Sequence, residues 1–253
     1  MKISKEDYKY LSGEKFSNGY RMALADNPLY SRIERIMMLA RGKNVLHVGC
    51  CDHLELIEEK IRQNRWLHGL LEENCNEVLG IDINEEAVDY VNEKHLSREK
   101  VYCTDITSKK WKETIPERNF NMVLFGEIIE HVDNPVRFLE TAKAALNDYG
   151  FHGRYVITVP NAYSFLRVSR NIKRGGVECI NSDHRYWFTP FTISKVMLQA
   201  GIRPEELFFV SDGPGGNGKN KYIEKMFVYL EKKRGCPSSY KSYRSDQLIA
   251  IGR

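Results

Sequence analysis

FNMVLFGEIIEHVDNP, residues 120–135, packs a strand, a tight turn and a group of ligand-type side chains into one stretch. Met122 to Phe125 is a short apolar run closed by Gly126, the pattern of a strand buried on both faces. Glu127, Glu130 and His131 follow at offsets of zero, three and four, so a helical continuation sends all three side chains from one face. Ile128, Ile129 and Val132 then fall on the other side, toward a core, and Asn134 and Pro135 restart the chain. Two carboxylates and an imidazole on one face have two readings. They form an ordinary solvated helix face, or they hold a divalent cation of the hard or borderline kind: magnesium, manganese, iron or zinc.

Outward from that stretch, strands alternate with helices. Asn44 to Val48 runs as a strand into Gly49, and Leu54, Ile57 and Ile61 mark the helix behind it. Val78 to Ile81 is the next strand, ending at Asp82, with Asn84 as N-cap of a helix through Ala87, Val88 and Val91. Val101 to Thr104 precedes Asp105, and Tyr155 to Val159 is closed by Pro160. This alternation predicts an α/β fold with a parallel sheet doubly wound by helices. In such a sheet the ligand lies outside the C-terminal ends of the strands. Gly49 there permits a tight turn and close backbone approach to a ligand, and Asp82 is placed to accept both hydroxyls of a ribose. The plainer alternatives are a turn glycine and a helix-start aspartate; Asn84 fills the cap role better, which favours the ribose role for Asp82.

The 253 residues are long for one domain and short for two. We read them as a single domain: an arm and helix over 1–41, a core over 42–211 with an insertion at about 161–188, and a glycine-rich loop, helix and last strand over 212–253. A hydrophobic content of 42% and a charged content of 28% are ordinary for a soluble globular chain. No apolar run is long enough to span a bilayer, and MKISKEDYKYLSGEK is too polar for a signal peptide, so a cytoplasmic protein without membrane contact is expected. Six cysteines without a CxxC pair argue against a disulfide framework or structural zinc. A net charge of +4 permits an anionic substrate without demanding nucleic acid.

At the flanks, residues 1–25 carry interleaved aromatics without a period and read as a surface arm, with a lid as the alternative. Asp26 and Pro28 predict a helix start, and Ile33, Ile36, Met37 and Ala40 form a stripe ended by Gly42. In the insertion, Arg167, Arg170 and Arg174 share a helical face beside Lys173, Tyr163, Phe165, Tyr186, Trp187 and Phe188. That face is a phosphate clamp or a solvated basic surface. DGPGGNGKNK (212–221) lacks the Lys-Ser/Thr ending of a phosphate-binding loop and reads as a connection or lid, with a helix following over Tyr222 to Lys233.

VLHVGCCDH (45–53), VLGIDI (78–83), CTDIT (103–107), FNMVLFGEIIEHVDNP and VITVPN (156–161) together resemble the ordered motifs of class I S-adenosylmethionine-dependent methyltransferases over about residues 40–210. The resemblance implies a Rossmann-like, seven-stranded, mostly parallel sheet whose last two strands form an antiparallel hairpin, here Leu207 to Val210 and Leu248 to Ile251. It implies S-adenosylmethionine as cofactor, with Gly49 near the methionine part, Asp82 at the ribose, Asp105 and Ile106 bordering the adenine, and Ile83 and Gly126 also at the cofactor. The family's first motif usually reads acidic-x-Gly-x-Gly-x-Gly, whereas the matching positions here are His47, Gly49, Cys51 and His53. Cys50 and Cys51 contact the cofactor or simply pack the loop.

Glu127, Glu130 and His131, with His184 in SDHRYWFTP, further resemble the metal ligands of small-RNA 2′-O-methyltransferases, and ubiquinone-pathway O-methyltransferases carry a similar Glu-x-x-Glu-His segment. The expected activity is O-methylation of a small, phosphorylated or nucleotide-linked sugar-type acceptor, as in polysaccharide biosynthesis, assisted by manganese or magnesium ahead of iron or zinc. In a metal-free version His131 is the general base, oriented by Glu130 or Glu127. RNA is the runner-up acceptor. N- or C-methylation and a noncatalytic cofactor-binding role are the competing classes.

Overall fold

A computed structural model describes residues 1–22, 29–173, 175–176, 178, 180–211, 229 and 245–253. In chain order the elements are α1 (Lys5–Leu11), β1 (Tyr30–Ser31), α2 (Arg32–Ala40), β2 (Asn44–Val48), α3 (Ile57–Arg62), α4 (Leu67–Asn74), β3 (Glu77–Asp82), α5 (Glu85–Glu93), β4 (Tyr102–Cys103), β5 (Met122–Gly126), α6 (Pro135–Asp148), β6 (Arg154–Pro160), α7 (Phe165–Lys173), α8 (Pro190–Gln199), β7 (Pro204–Ser211) and β8 (Gln247–Gly252). They build one sheet in the order β1-β7-β8-β6-β5-β2-β3-β4. β8 runs antiparallel between β6 and β7, and the remaining pairs are parallel.

The apolar runs become strands because side chains alternate between two covered faces. Leu46, Leu79, Val123, Phe125 and Ile157 face α6 and α8 through Leu139, Ala142, Ile193 and Met197. Val45, Val78, Met122, Leu124 and Val156 face Ile36 and Ala40 of α2 and Leu67 and Leu71 of α4. The doubly wound sheet and its C-terminal antiparallel hairpin therefore stand as expected. Among the described residues there are eight strands rather than seven: Tyr30 and Ser31, extended just before α2, pair with Val210 and Ser211 at the edge. The strand expected over Val101 to Thr104 shrinks to two residues, Tyr102–Cys103.

Helix starts follow their caps. Asn84 accepts from the Ala87 amide to open α5, and Asn134 accepts from Arg137 behind Pro135 to open α6. The start expected at Asp26 and Pro28 lies outside the described residues; α2 begins behind Ser31, which forms a capping box with Glu34. The expected helix through Leu54, Ile57 and Ile61 splits into a 3-10 turn, Leu54–Leu56, and α3. The arm expected over 1–25 is partly built into the fold. Ser4 caps α1, Leu11 is buried, and the Met1 ammonium donates to the Leu207 carbonyl at 2.6 Å. The 212–221 loop and the helix expected over Tyr222 to Lys233, Tyr229 apart, lie outside the described residues. No helix among the described residues is long and apolar enough to cross a membrane.

Candidate active site

Four strands, β2 to β5, present their C-terminal ends to one cleft of about 790 Å³, within the range of small-molecule sites. Gly49, directly after β2, has φ +69, and a Cβ built on it would fall 2.8 Å from Ile128 Cδ1. Only glycine meets both demands. Its amide donates to the Ile81 carbonyl at 2.8 Å, which ties the β2 turn to β3. At the end of β3, Asp82 accepts from the backbone amides of Cys51 and Asn84, each at 3.0 Å, one on each carboxylate oxygen. Each oxygen keeps a lone pair for a ligand hydroxyl. Ile83, an apolar side chain 75% exposed, and the buried Ile106 line the same cleft. Asp105 accepts from the Thr107 amide at 2.8 Å and its hydroxyl at 2.7 Å. Cys50, Gly126 and His131 also line the cleft.

The segment after β5 departs from expectation. Glu127, Glu130 and His131 do not share a helix face, because the chain turns instead: Glu127 sits at φ +59 and the His131 amide donates to the Ile128 carbonyl at 2.9 Å. The Glu127 amide is held by the Thr158 carbonyl and hydroxyl of neighbouring β6 at 3.2 and 3.1 Å, which anchors the left-handed turn. The helical register starts only at Pro135. Ile129 and Glu130 are both fully buried as a result, and His131 is half-buried.

A strap from the insertion closes over this turn. The Arg185 amide donates to the Glu130 carbonyl at 2.8 Å, its guanidinium reaches Asp133 at 2.8 Å and also the His131 carbonyl, and the Tyr186 hydroxyl donates to the Asp133 carbonyl at 2.6 Å. These bonds bring the His184 ring to 4.6 Å from that of His131, almost perpendicular. Donor atoms of Glu130, His131 and His184 lie within 4.8 Å of one another. Glu127, the fourth expected ligand, falls outside that group; its Oε2 accepts from Gln247 Nε2 at 2.9 Å.

Electrostatics mark the cluster. Burial, then the nearby Glu127 charge, pushes the Glu130 carboxyl up to about 9. Neither Glu130 oxygen has a hydrogen-bond partner among the described residues, nor does His184 Nδ1. Burial, then the neighbouring His131, lowers His184 to about 4, and burial, then His53, lowers His131. Both imidazoles are thus neutral near pH 7, with lone pairs to offer. A buried carboxylate lacking partners is costly, and a cation between these donors would remove that cost. The donor set of one carboxylate and two imidazoles fits a divalent metal.

Of the insertion's basic residues, Arg167 lies on α7 with its guanidinium 5.2 Å from the Trp187 ring centroid. The Arg170 side chain and Arg174 are outside the described residues, as is any clamp they would form. Sequence reading missed Arg32, Arg65, Asn181 and Gln247 as lining residues. Gln247 carried a usable signal: a polar side chain opening an otherwise apolar strand whose reversed direction places its first residue at the cleft.

The chain matches the family described as a methyltransferase domain over residues 21–207. No curated protein sequence matches it. Among solved structures, it is similar to a SAM-dependent methyltransferase from Archaeoglobus fulgidus, with 16% identity and a TM-score of 0.49 over 87% of this chain and 90% of that one. A methyltransferase from Bacillus halodurans gives 13% and 0.48 over 88% and 98%. The small RNA methyltransferase HEN1 gives 15% and 0.51 over 94% of this chain, which spans only 27% of that protein's length. At these identities the likeness is one of fold. The family match covers most of the chain and every strand end that lines the cleft except that of β8, and by it the chain belongs to the methyltransferase-domain family and is an S-adenosylmethionine-dependent methyltransferase.

Proposed function

We propose that this methyltransferase acts on a hydroxyl of a small, phosphorylated or nucleotide-linked sugar-type acceptor, with a divalent cation held by Glu130, His131 and His184 and flanked by Glu127. The observation that carries this reading is the buried Glu130 carboxyl, without hydrogen-bond partners among the described residues, facing two neutral imidazoles at the edge of the cleft. In this reading Gly49 and Cys50 bring backbone against the methionine end of the cofactor. The two Asp82 oxygens take the ribose hydroxyls, and Ile83, Asp105 and Ile106 border the adenine. Gly126 leaves the rim between cofactor and acceptor open.

The sulfonium supplies an already activated methyl group, so the protein's task is to align an electron-rich oxygen behind it. A bound cation would lower the pKa of an acceptor hydroxyl and orient it. His131 is neutral near pH 7 and reaches the cleft, so without a cation it serves as the proton acceptor for that hydroxyl. Arg167, half-buried beside Trp187, supplies positive charge for an anionic acceptor.

Methyl transfer to sugar phosphates, nucleotide sugars and short RNAs with a free 2′-hydroxyl, read by mass spectrometry before and after chelation, tests the reading. We expect methylation of a sugar hydroxyl, lost on chelation and restored by manganese. Full turnover after chelation removes the metal, full activity in His131→Ala removes both versions, and methylation confined to RNA replaces the acceptor.

A further inference from the structure

His47, on β2, is 2% exposed and lines the cleft, with its Nε2 3.6 Å from where a Cβ on Gly126 would stand. Its other ring nitrogen, Nδ1, lies 3.2 Å from Nδ1 of His68 on α4. Two imidazole nitrogens at that distance share one proton, so one ring donates and the other accepts. The far nitrogen of His68, Nε2, is 3.8 Å from Glu72 Oε1, one turn along the same helix. That separation exceeds hydrogen-bond length but is well within electrostatic reach in a buried setting. The same Glu72 oxygen accepts from Ser97 Oγ at 2.7 Å and the Arg98 amide at 3.0 Å, which fixes where the carboxylate points. Space for the His68 ring comes from Gly80 on β3, where a Cβ would fall 2.7 Å from His68 Cε1.

A carboxylate beside His68 Nε2 favours the proton on that nitrogen, which leaves His68 Nδ1 bare. His47 must then carry its proton on Nδ1 and present Nε2 to the cleft as a lone pair. Burial lowers the pKa of both rings, so neither takes a second proton near neutrality. A neutral acceptor on the wall between Gly49 and Gly126 suits a cationic donor, and Arg32 and Arg65 line the same cleft for an anionic group. A free α-amino acid end carries both.

We propose that Glu72 and His68 are positioning residues that fix the His47 tautomer, so that His47 Nε2 accepts a hydrogen bond from the α-ammonium of the cofactor. The inference rests on the S-adenosylmethionine reading and assigns the selectivity for its amino acid end to a histidine relay.

The test uses the whole protein labelled with nitrogen-15 at histidine, with S-adenosylhomocysteine and 5′-methylthioadenosine, which lacks the amino acid end, as probes. At neutral pH, long-range proton–nitrogen correlation should show His47 protonated on Nδ1, and S-adenosylhomocysteine but not methylthioadenosine should shift its Nε2 resonance. In Glu72→Gln, an amide in place of the carboxylate no longer dictates the proton's place. S-adenosylhomocysteine should then bind on the order of tenfold more weakly, with methylthioadenosine changed less than about twofold. A His47 protonated on Nε2 in the unaltered protein overturns the proposal, whether or not the variant folds. So does equal weakening of both probes, or of neither. Failure of both probes to bind the unaltered protein defeats the cofactor reading itself.

Discussion

Replacing Glu130 with glutamine should flatten the pH dependence of stability in metal-free protein. The Glu130 carboxyl, raised to about 9 from 4.5, holds its proton more tightly folded than unfolded. Its contribution is therefore complete below the unfolded value, declines as pH rises between the two, and is gone above the folded one. Between them the slope is about 1.4 kcal/mol per pH unit, so from about pH 5.5 to about pH 7.5 the unaltered protein should lose about 3 kcal/mol relative to Glu130→Gln. Urea denaturation of chelated samples across that range measures the difference, with a constant m-value confirming that the unfolded state is not the cause. Manganese should reverse the trend in the unaltered protein, because the ion takes the deprotonated carboxylate, and should stabilise the variant less. Parallel pH profiles for the two proteins would refute the account of Glu130 as a buried group held neutral for want of a partner.

Other substitutions probe the remaining walls of the cleft. Gly49→Ala should cost at least about 1–2 kcal/mol of stability from its φ alone, with a further loss from the contact with Ile128. Adding Ile128→Ala should recover only the second part, and full recovery in a denaturation series would show that the backbone conformation is not strained. Asp82→Asn exchanges one acceptor oxygen for a donor, stranding the Cys51 or the Asn84 amide. It should weaken S-adenosylhomocysteine binding on the order of tenfold in calorimetry, and unchanged affinity would remove Asp82 from the ribose role. Gln247→Leu strips Glu127 Oε2 of its amide donor and should destabilise the fold by about 1–3 kcal/mol. An unaltered denaturation midpoint would mean that this contact contributes nothing.

Much of the sheet was legible because its strands are buried on both faces and so read as uninterrupted apolar runs. Asn44–Val48 coincides with expectation, and Met122–Gly126 and Arg154–Pro160 extend it by one or two residues. Position past a strand end was an equally direct signal for which residues line the cleft, Gly49, Asp82 and Asp105 among them. The turn after β5 was not legible, because spacing alone reports a helix face wherever residues stand at three and four. What prevents the helix is Thr158 on another strand, holding the Glu127 amide in a left-handed conformation. The same turn buries Glu130, which converts a seemingly solvated carboxylate into an acid whose carboxyl is pushed up to about 9. α4 escaped notice because Leu67, His68 and Leu71, its buried positions, include a histidine whose environment is made by a glycine on a different strand.

The placement of β8 carries a consequence for synthesis. Residues 247–252 follow every other strand of the sheet in the chain, yet they separate β6 from β7 and bring Gln247 to Glu127. On the ribosome the nascent chain can assemble β2 through β6 around the cleft, but β7 and its partner β1 have no place to dock until β8 emerges. Until that moment β6 offers a bare hydrogen-bonding edge. Chains stalled before β8 would thus hold most of the cleft lining while remaining prone to edge-to-edge association.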